Sequence, residues 1–362
     1  MLEFVARALA FLIGFAIVAG TVISAVRTFV LPRSAPDNLT RVVFLVVRRV
    51  FDALNSRSQT YFDRDRIMAL YAPFALLTLV PVWLACVLLG YTAMFWAIGV
   101  PSWLDAFRSS GSSLLTLGFA PLDSLAATVL AYTEATTGLI LVALLIAYLP
   151  TMYGAFQRRE TAVTLLEVRA GSPPSAIELF KRFHRLRRME KLADLWVTWE
   201  IWFAEIEESH TSLPALAFFR SPQPDHSWIT AAGAVLDAAS LAASTLDIPH
   251  DVQEDLCIRA GYLALRRIAD FFSLPYDPSP SPGGPISVTR AEFDAACDEL
   301  AAAGVPLKPD REQAWRDFVG WRVNYDRVLL ILAALVMAPP APWSSDRAPK
   351  TMRPSLILPK RR

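Results

Sequence analysis

The chain has 362 residues, of which 54% are hydrophobic and 19% charged, and its mean hydropathy is +0.37. Soluble domains average about 45 to 50% apolar and about 25% charged, so this excess argues against an ordinary cytosolic enzyme. With 35 basic against 34 acidic residues the net charge is +1, which leaves no electrostatic footprint for nucleic acid.

The apolar residues collect in the first 160 positions, so a membrane half precedes a soluble half. Ala8 to Val26 carries no charge and, at about 1.5 Å per residue, reaches across the roughly 30 Å hydrocarbon layer once. Ala16, Gly20 and Ser24 repeat every four positions and offer a face for another helix. With no clear small-residue cleavage site, residues 1–31 read as an uncleaved transmembrane helix rather than a signal peptide. Residues 32–66 form a linker whose arginines, Arg33, Arg41, Arg48, Arg49, Arg57, Arg64 and Arg66, outnumber its acids, so it belongs inside and the N-terminus outside. Within it, Thr40 to Leu54 is amphipathic, with Arg41, Arg48 and Asp52 on one face and Val43, Val46, Val47, Val50 and Leu54 on the other. Such a helix either lies on the inner leaflet, with Arg41, Arg48 and Arg49 at lipid headgroups, or packs on the C-terminal domain.

Ile67 to Leu104 has no charged residue, and one long tilted helix from about Ile67 to Gly99 fits it, with Pro73 and Pro81 tolerated inside. Ser124 to Gln157 is the next apolar stretch, and Glu134 is its only charge. It ends at Arg158 and Arg159, which belong inside and are candidates for lipid contact. Between the two helices, Trp103 to Leu115 is apolar enough to enter a membrane and too short to cross it. Its Ser109-Ser110-Gly111-Ser112-Ser113 lets a short helix wedge between larger ones. Thr116-Leu117-Gly118-Phe119-Ala120-Pro121 cannot continue that helix, and non-helical backbone at membrane depth either lines a water-filled path or is buried in protein.

An outer helix, a short small-residue helix, Thr116 to Ala120 and a long inner helix are similar to the pore-loop potassium channels, whose filter reads Thr-Val-Gly-Tyr-Gly. Tyr148-Leu149-Pro150, Gln157-Arg158-Arg159-Glu160, Arg169-Ala170-Gly171-Ser172-Pro173-Pro174, Glu207-Glu208-Ser209-His210, Phe219-Arg220-Ser221 and Ser227-Trp228 resemble a bacterial two-helix group of such proteins with a helical cytosolic domain. The resemblance covers most of residues 67–245. It implies a homotetramer in the plasma membrane in which carbonyls of Thr116, Leu117, Gly118 and Phe119 replace the hydration shell of K+, with 67–159 as pore domain. Ala120 stands where the family has a second glycine, and a side chain in left-handed backbone costs about 1 to 2 kcal/mol. Pro121 displaces the usual acid, leaving Asp123, and Phe119 lacks the hydroxyl that braces the usual tyrosine.

Glu134 is the one ionisable residue inside a span. It can ring the cavity, support the filter by bonding the short helix, or lie near the outer interface. Gly138 and Pro150 can each bend the inner helix as a hinge, or be ordinary membrane-helix residues.

From residue 160 to 338 the pattern is helical: Ala176–Arg188 with Ser175 as cap, Lys191–Glu208, Trp228–Leu246, Val252–Phe272, Val288–Gly304 and Arg311–Met337. Residues 339–362 read as a proline-rich, basic, disordered tail. The basic run from Lys181 to Lys191 either meets anionic headgroups or is a solvated face. His184, His210, His226 and His250 sit at no metal-ligand spacing, Cys86, Cys257 and Cys297 at no paired one, and no catalytic motif appears. The expected fold is therefore an all-α membrane protein with three transmembrane helices, a re-entrant helix and loop, and a cytosolic helical bundle. The expected function is potassium conduction without cofactor or resident metal, with lipids and an unknown cytosolic ligand or protein as partners and no nucleic acid. A non-selective cation channel and a non-conducting membrane scaffold or sensor are the alternatives.

Overall fold

The computed structural model describes residues 1–31, 37–56 and 60–349. Among these the chain is helical with no strand, apart from an isolated antiparallel bridge between Leu246 and Leu307. Arg33, Arg57 and the basic tail from residue 350 lie outside the described residues. Among the described residues, three segments are long and apolar enough to cross a membrane: Leu2–Phe29, Tyr61–Ala97 and Leu125–Ala170. The chain divides into two compact units, one of residues 1–56 and 70–153, the other of 57–69 and 154–362.

The first unit holds α1 (Leu2–Phe29), α2 (Asn38–Asn55), α4 (Tyr71–Ala97), α5 (Trp103–Leu114) and the first part of α6 (Leu125–Ala170). The interface between α1 and α4 is built on a glycine pair. A Cβ on Gly14 would sit 2.4 Å from the Gly90 carbonyl oxygen, and one on Gly90 would sit 2.8 Å from that of Gly14, so only glycine permits the approach. Gly14, Val18, Thr21, Ser24 and Ala25 are the buried face of α1. Of the expected packing stripe, Ser24 is buried within the chain, while Ala16 and Gly20 are exposed on it. Farther along, Ser24 Oγ accepts from Trp83 Nε1 (3.2 Å) and donates to Asp37 Oδ2 (2.6 Å), and the same carboxylate caps α2 by accepting from Thr40 N (2.7 Å). The expected helix from Ile67 starts at Tyr71 instead, because a turn at Ala69 and Leu70 separates it from α3 (Tyr61–Met68).

In the second unit, α9 (Trp228–Thr245) is the centre: every residue but Ala243 is buried. Its alanines, serines and Gly233 leave room for α7 (Ala176–Arg185), α8 (Leu192–Ser212), α10 (Val252–Phe271), α12 (Arg311–Arg322) and α13 (Asp326–Val336) to pack around it. Trp196, Trp199, Trp202 and Phe203 of α8 fill the core beside it. Asp237 in the middle of α9 pairs with Arg322, accepts from Tyr325 Oη (2.8 Å), and is pushed upward in pKa by burial, while Asp326 Oδ1 takes Arg322 Nε at 2.8 Å. The helix expected over Arg311–Met337 is broken at Val323 to Tyr325, where Asn324 Nδ2 caps the carbonyls of Gly320 (3.0 Å) and Trp321 (3.1 Å). Ser175 precedes α7 without a side-chain cap bond. Residues 339–349 are not a loose tail: Ala341, Trp343 and Ser344 are buried, and Arg347 pairs with Glu292 at the capping box of α11 (Arg290–Ala302). Residues 60–69, expected in the linker and outer helix, belong to this unit: Asp65 pairs with Arg220 Nε at 3.0 Å.

Candidate functional site

Helix α5 spans about 18 Å at 1.5 Å per residue, too little to cross a bilayer. Ser102 caps it, accepting from Asp105 N at 3.0 Å. Its C-terminus closes in a Schellman arrangement: Thr116 N donates to Ser113 O (3.0 Å) and Leu117 N to Ser112 O (2.8 Å), with Thr116 left-handed at φ +56° in the position that usually holds glycine. Ser112 then continues to collect amides. Its carbonyl is 3.4 Å from Gly118 N, and its Oγ accepts from Phe119 N (3.0 Å) and Ala120 N (3.1 Å). Every amide from Thr116 to Ala120 is thus turned back onto α5. The opposite edge is unoccupied: among the described residues, no donor reaches the carbonyl oxygens of Thr116, Leu117, Gly118 or Phe119. Leu117 and Phe119 are each 61% exposed on the monomer. Gly118 is left-handed at φ +71°, as its lack of a side chain suggests, whereas Ala120 does not take a positive φ. The strain expected at Ala120 therefore falls on Thr116.

Behind this strip, Glu134 of α6 is fully buried, with Oε1 2.5 Å from Ser110 Oγ of α5. Of the three expectations for it, this contact is the bond to the short helix. Gly138, one turn on, touches the end of α5, because a Cβ there would lie 2.9 Å from Leu114 O and Cδ1. Close approach accounts for this glycine, and α6 runs as one helix of 46 residues through both Gly138 and Pro150.

The arginines expected at lipid divide. Arg49 and Arg158 are exposed, and Arg41 is half-buried. Arg48 is buried, pairs with Asp52 (3.1 Å) and lies over the Tyr71 ring (5.2 Å to the centroid). Arg159 is also buried, held by Glu160 (2.7 Å) and by the carbonyls of Leu216 (2.8 Å) and Phe219 (2.7 Å). Both are corrected from headgroup contacts to internal ties. Sequence spacing could not show this, since an arginine next to an apolar run is written identically in either role. Arg159 Nη1 is 3.4 Å from His210 Nε2, and burial together with this guanidinium holds the imidazole well below its ordinary pKa.

Two histidines meet acids among the described residues: His226 Nε2 faces Glu167 Oε2 at 3.1 Å, and His250, Glu254 and Asp255 place ligand-type atoms within 4.8 Å of one another. The ring nitrogens of His250 already face Glu254 Oε1 (2.7 Å) and Asp255 Oδ2 (3.3 Å). Comparison with protein-family models, curated proteins and solved structures finds no match to the chain.

Proposed function

We propose that the chain is the subunit of a homotetrameric, potassium-conducting channel in the plasma membrane, with its helical unit in the cytoplasm. The observation that carries this reading is the polarity of the strip after α5: its amides are bound to Ser112 and Ser113, while the carbonyls of Thr116 to Phe119 have no donor among the described residues. Oxygens held in that way can replace the water around a cation once four copies surround an axis. The C-terminal end of α5 lies at the same place, and its partial negative charge favours a cation. The exposure of Leu117 and Phe119 fits a surface that neighbouring subunits cover. Helix α2 supports membrane contact: Val42, Val46, Val50 and Leu54 are exposed while Arg48 and Asn55 are buried, an arrangement that suits acyl chains outside rather than water.

A non-selective cation pore is the second reading, favoured by Phe119, whose ring has no hydroxyl with which to brace the strip. Purified protein in liposomes, compared for uptake of potassium, sodium and choline, tests both. Potassium above sodium with choline excluded supports the first reading, and equal potassium and sodium the second. Absence of uptake for all three ions removes both.

A further inference from the structure

Ser110 Oγ touches two oxygens of two other helices at once. It lies 3.0 Å from the carbonyl oxygen of Leu88 on α4 and 2.5 Å from Glu134 Oε1 on α6. A hydroxyl has one proton, and a peptide carbonyl has none. With an ionised carboxylate, only one of the two contacts could hold a proton, and the other would set lone pair against lone pair. Both become hydrogen bonds in a single arrangement, in which the carboxylic acid donates to Ser110 Oγ and Ser110 donates to Leu88 O. The surroundings agree with a neutral acid. Glu134 is 0% exposed, no cation pairs with it among the described residues, and its Oε2 is buried without a hydrogen-bond partner. An ionised group would need donors at both oxygens.

We infer that Glu134 is a protonated positioning residue that ties α6, α5 and α4 together through the relay Glu134 to Ser110 to Leu88. Its functional consequence rests on the proposed channel. Ser110 stands two residues before Ser112, so the relay fixes the seat of the residue that holds the strip, and it does so without placing charge near the ion path. The role is therefore mechanical, and a side chain that can donate one proton in the same place should serve.

Infrared spectra of the full chain in lipid at neutral pH supply the first readout. A carbonyl stretch of a buried protonated carboxylic acid should be present, vanish in Glu134→Gln and move in Ser110→Ala as its acceptor is removed. The second readout is flux. Glu134→Gln, whose amide donates in place of the acid, should keep parent flux, while Glu134→Ala should lose about fivefold or more in open probability for the missing bond in each subunit. A spectrum unchanged by Glu134→Gln overturns the inference, as does a Gln variant whose conductance falls most at low salt, the mark of a lost negative charge. If Glu134→Ala does not assemble, the spectrum and the Gln variant still decide. A parent that carries no ions defeats the channel reading alone, since the protonated-acid band is read without flux.

Discussion

Ser112 concentrates more of the proposed filter's geometry than any residue whose letter looks distinctive. Its hydroxyl holds two amides, and a hydrogen bond of this kind contributes about 1 kcal/mol. Ser112→Ala should leave assembly intact and lower the potassium-to-sodium ratio, read as a shift in reversal potential, and Ser112→Thr should restore it. An Ala variant with parental selectivity would show that the backbone alone holds the strip. Among Ser109, Ser110, Ser112 and Ser113 nothing in the letters says which serves the strip and which serves Glu134; direction around the helix decides that. Gly118 was legible because only glycine enters left-handed backbone freely, whereas Thr116 was not, since a β-branched residue rarely does so. At His210 the sign of a pH effect follows from its lowered pKa. The folded state keeps the ring neutral and the unfolded chain binds a proton below about pH 6.5, so stability present above that value falls as pH drops through it. Denaturant midpoints at about pH 7.5 and about pH 5.5 should differ more in the parent than in His210→Gln. Equal differences would mean that other groups set the pH response.

At the level of helices, the three long apolar helices were readable from charge gaps alone, while the faces they bury were not. Helix α1 carries two stripes of small residues, and a period of four drifts by about 40° each repeat, so spacing points equally well at Ala16-Gly20-Ser24 and at the buried Gly14-Val18-Thr21-Ala25. The glycine contact with α4 makes the distinction testable. A side chain at Gly90 would meet Val18 Cγ2 at 2.7 Å, whereas one at Gly20 would meet nothing within 4 Å. Gly90→Leu should destabilise the protein by about 1 to 3 kcal/mol through overpacking, seen as a lower melting temperature in detergent, and Gly20→Leu should leave it near the parent value. The reverse order would place the helix contact on the other stripe. Helix α2 teaches a related lesson. Its amphipathic pattern was plain, but its polar face turns inward, because Asp52 and the Tyr71 ring supply partners for Arg48 that lipid would not.

Over the whole molecule, composition separated an apolar part from a less apolar helical part, yet the real division is not a single point in the sequence. Residues 60–69 are built into the helical unit, where Asp65 answers a nearly buried Arg220 and Tyr61 Oη reaches Met337 O at 3.5 Å. Charge alternation around residue 60 looks the same whether the segment is a connector or a structural piece, so this was beyond sequence reading. A fragment of residues 154–349 should therefore be destabilised by about 1 to 3 kcal/mol relative to the same unit complete, since a nearly buried arginine loses its acid and keeps only its bonds to the carbonyls of Val336 and Met337. Adding a peptide of residues 60–69 should raise its melting temperature, and a peptide with Asp65→Asn should not. A fragment indifferent to both peptides would mean that the segment is dispensable. The chain crosses between the two units three times, after residues 56, 69 and 153. Heredity usually trades domains by a single exchange at one junction. Here such an exchange would deliver a helical unit with a missing plug, so the two parts of this protein can be parted only by exchanges at all three junctions.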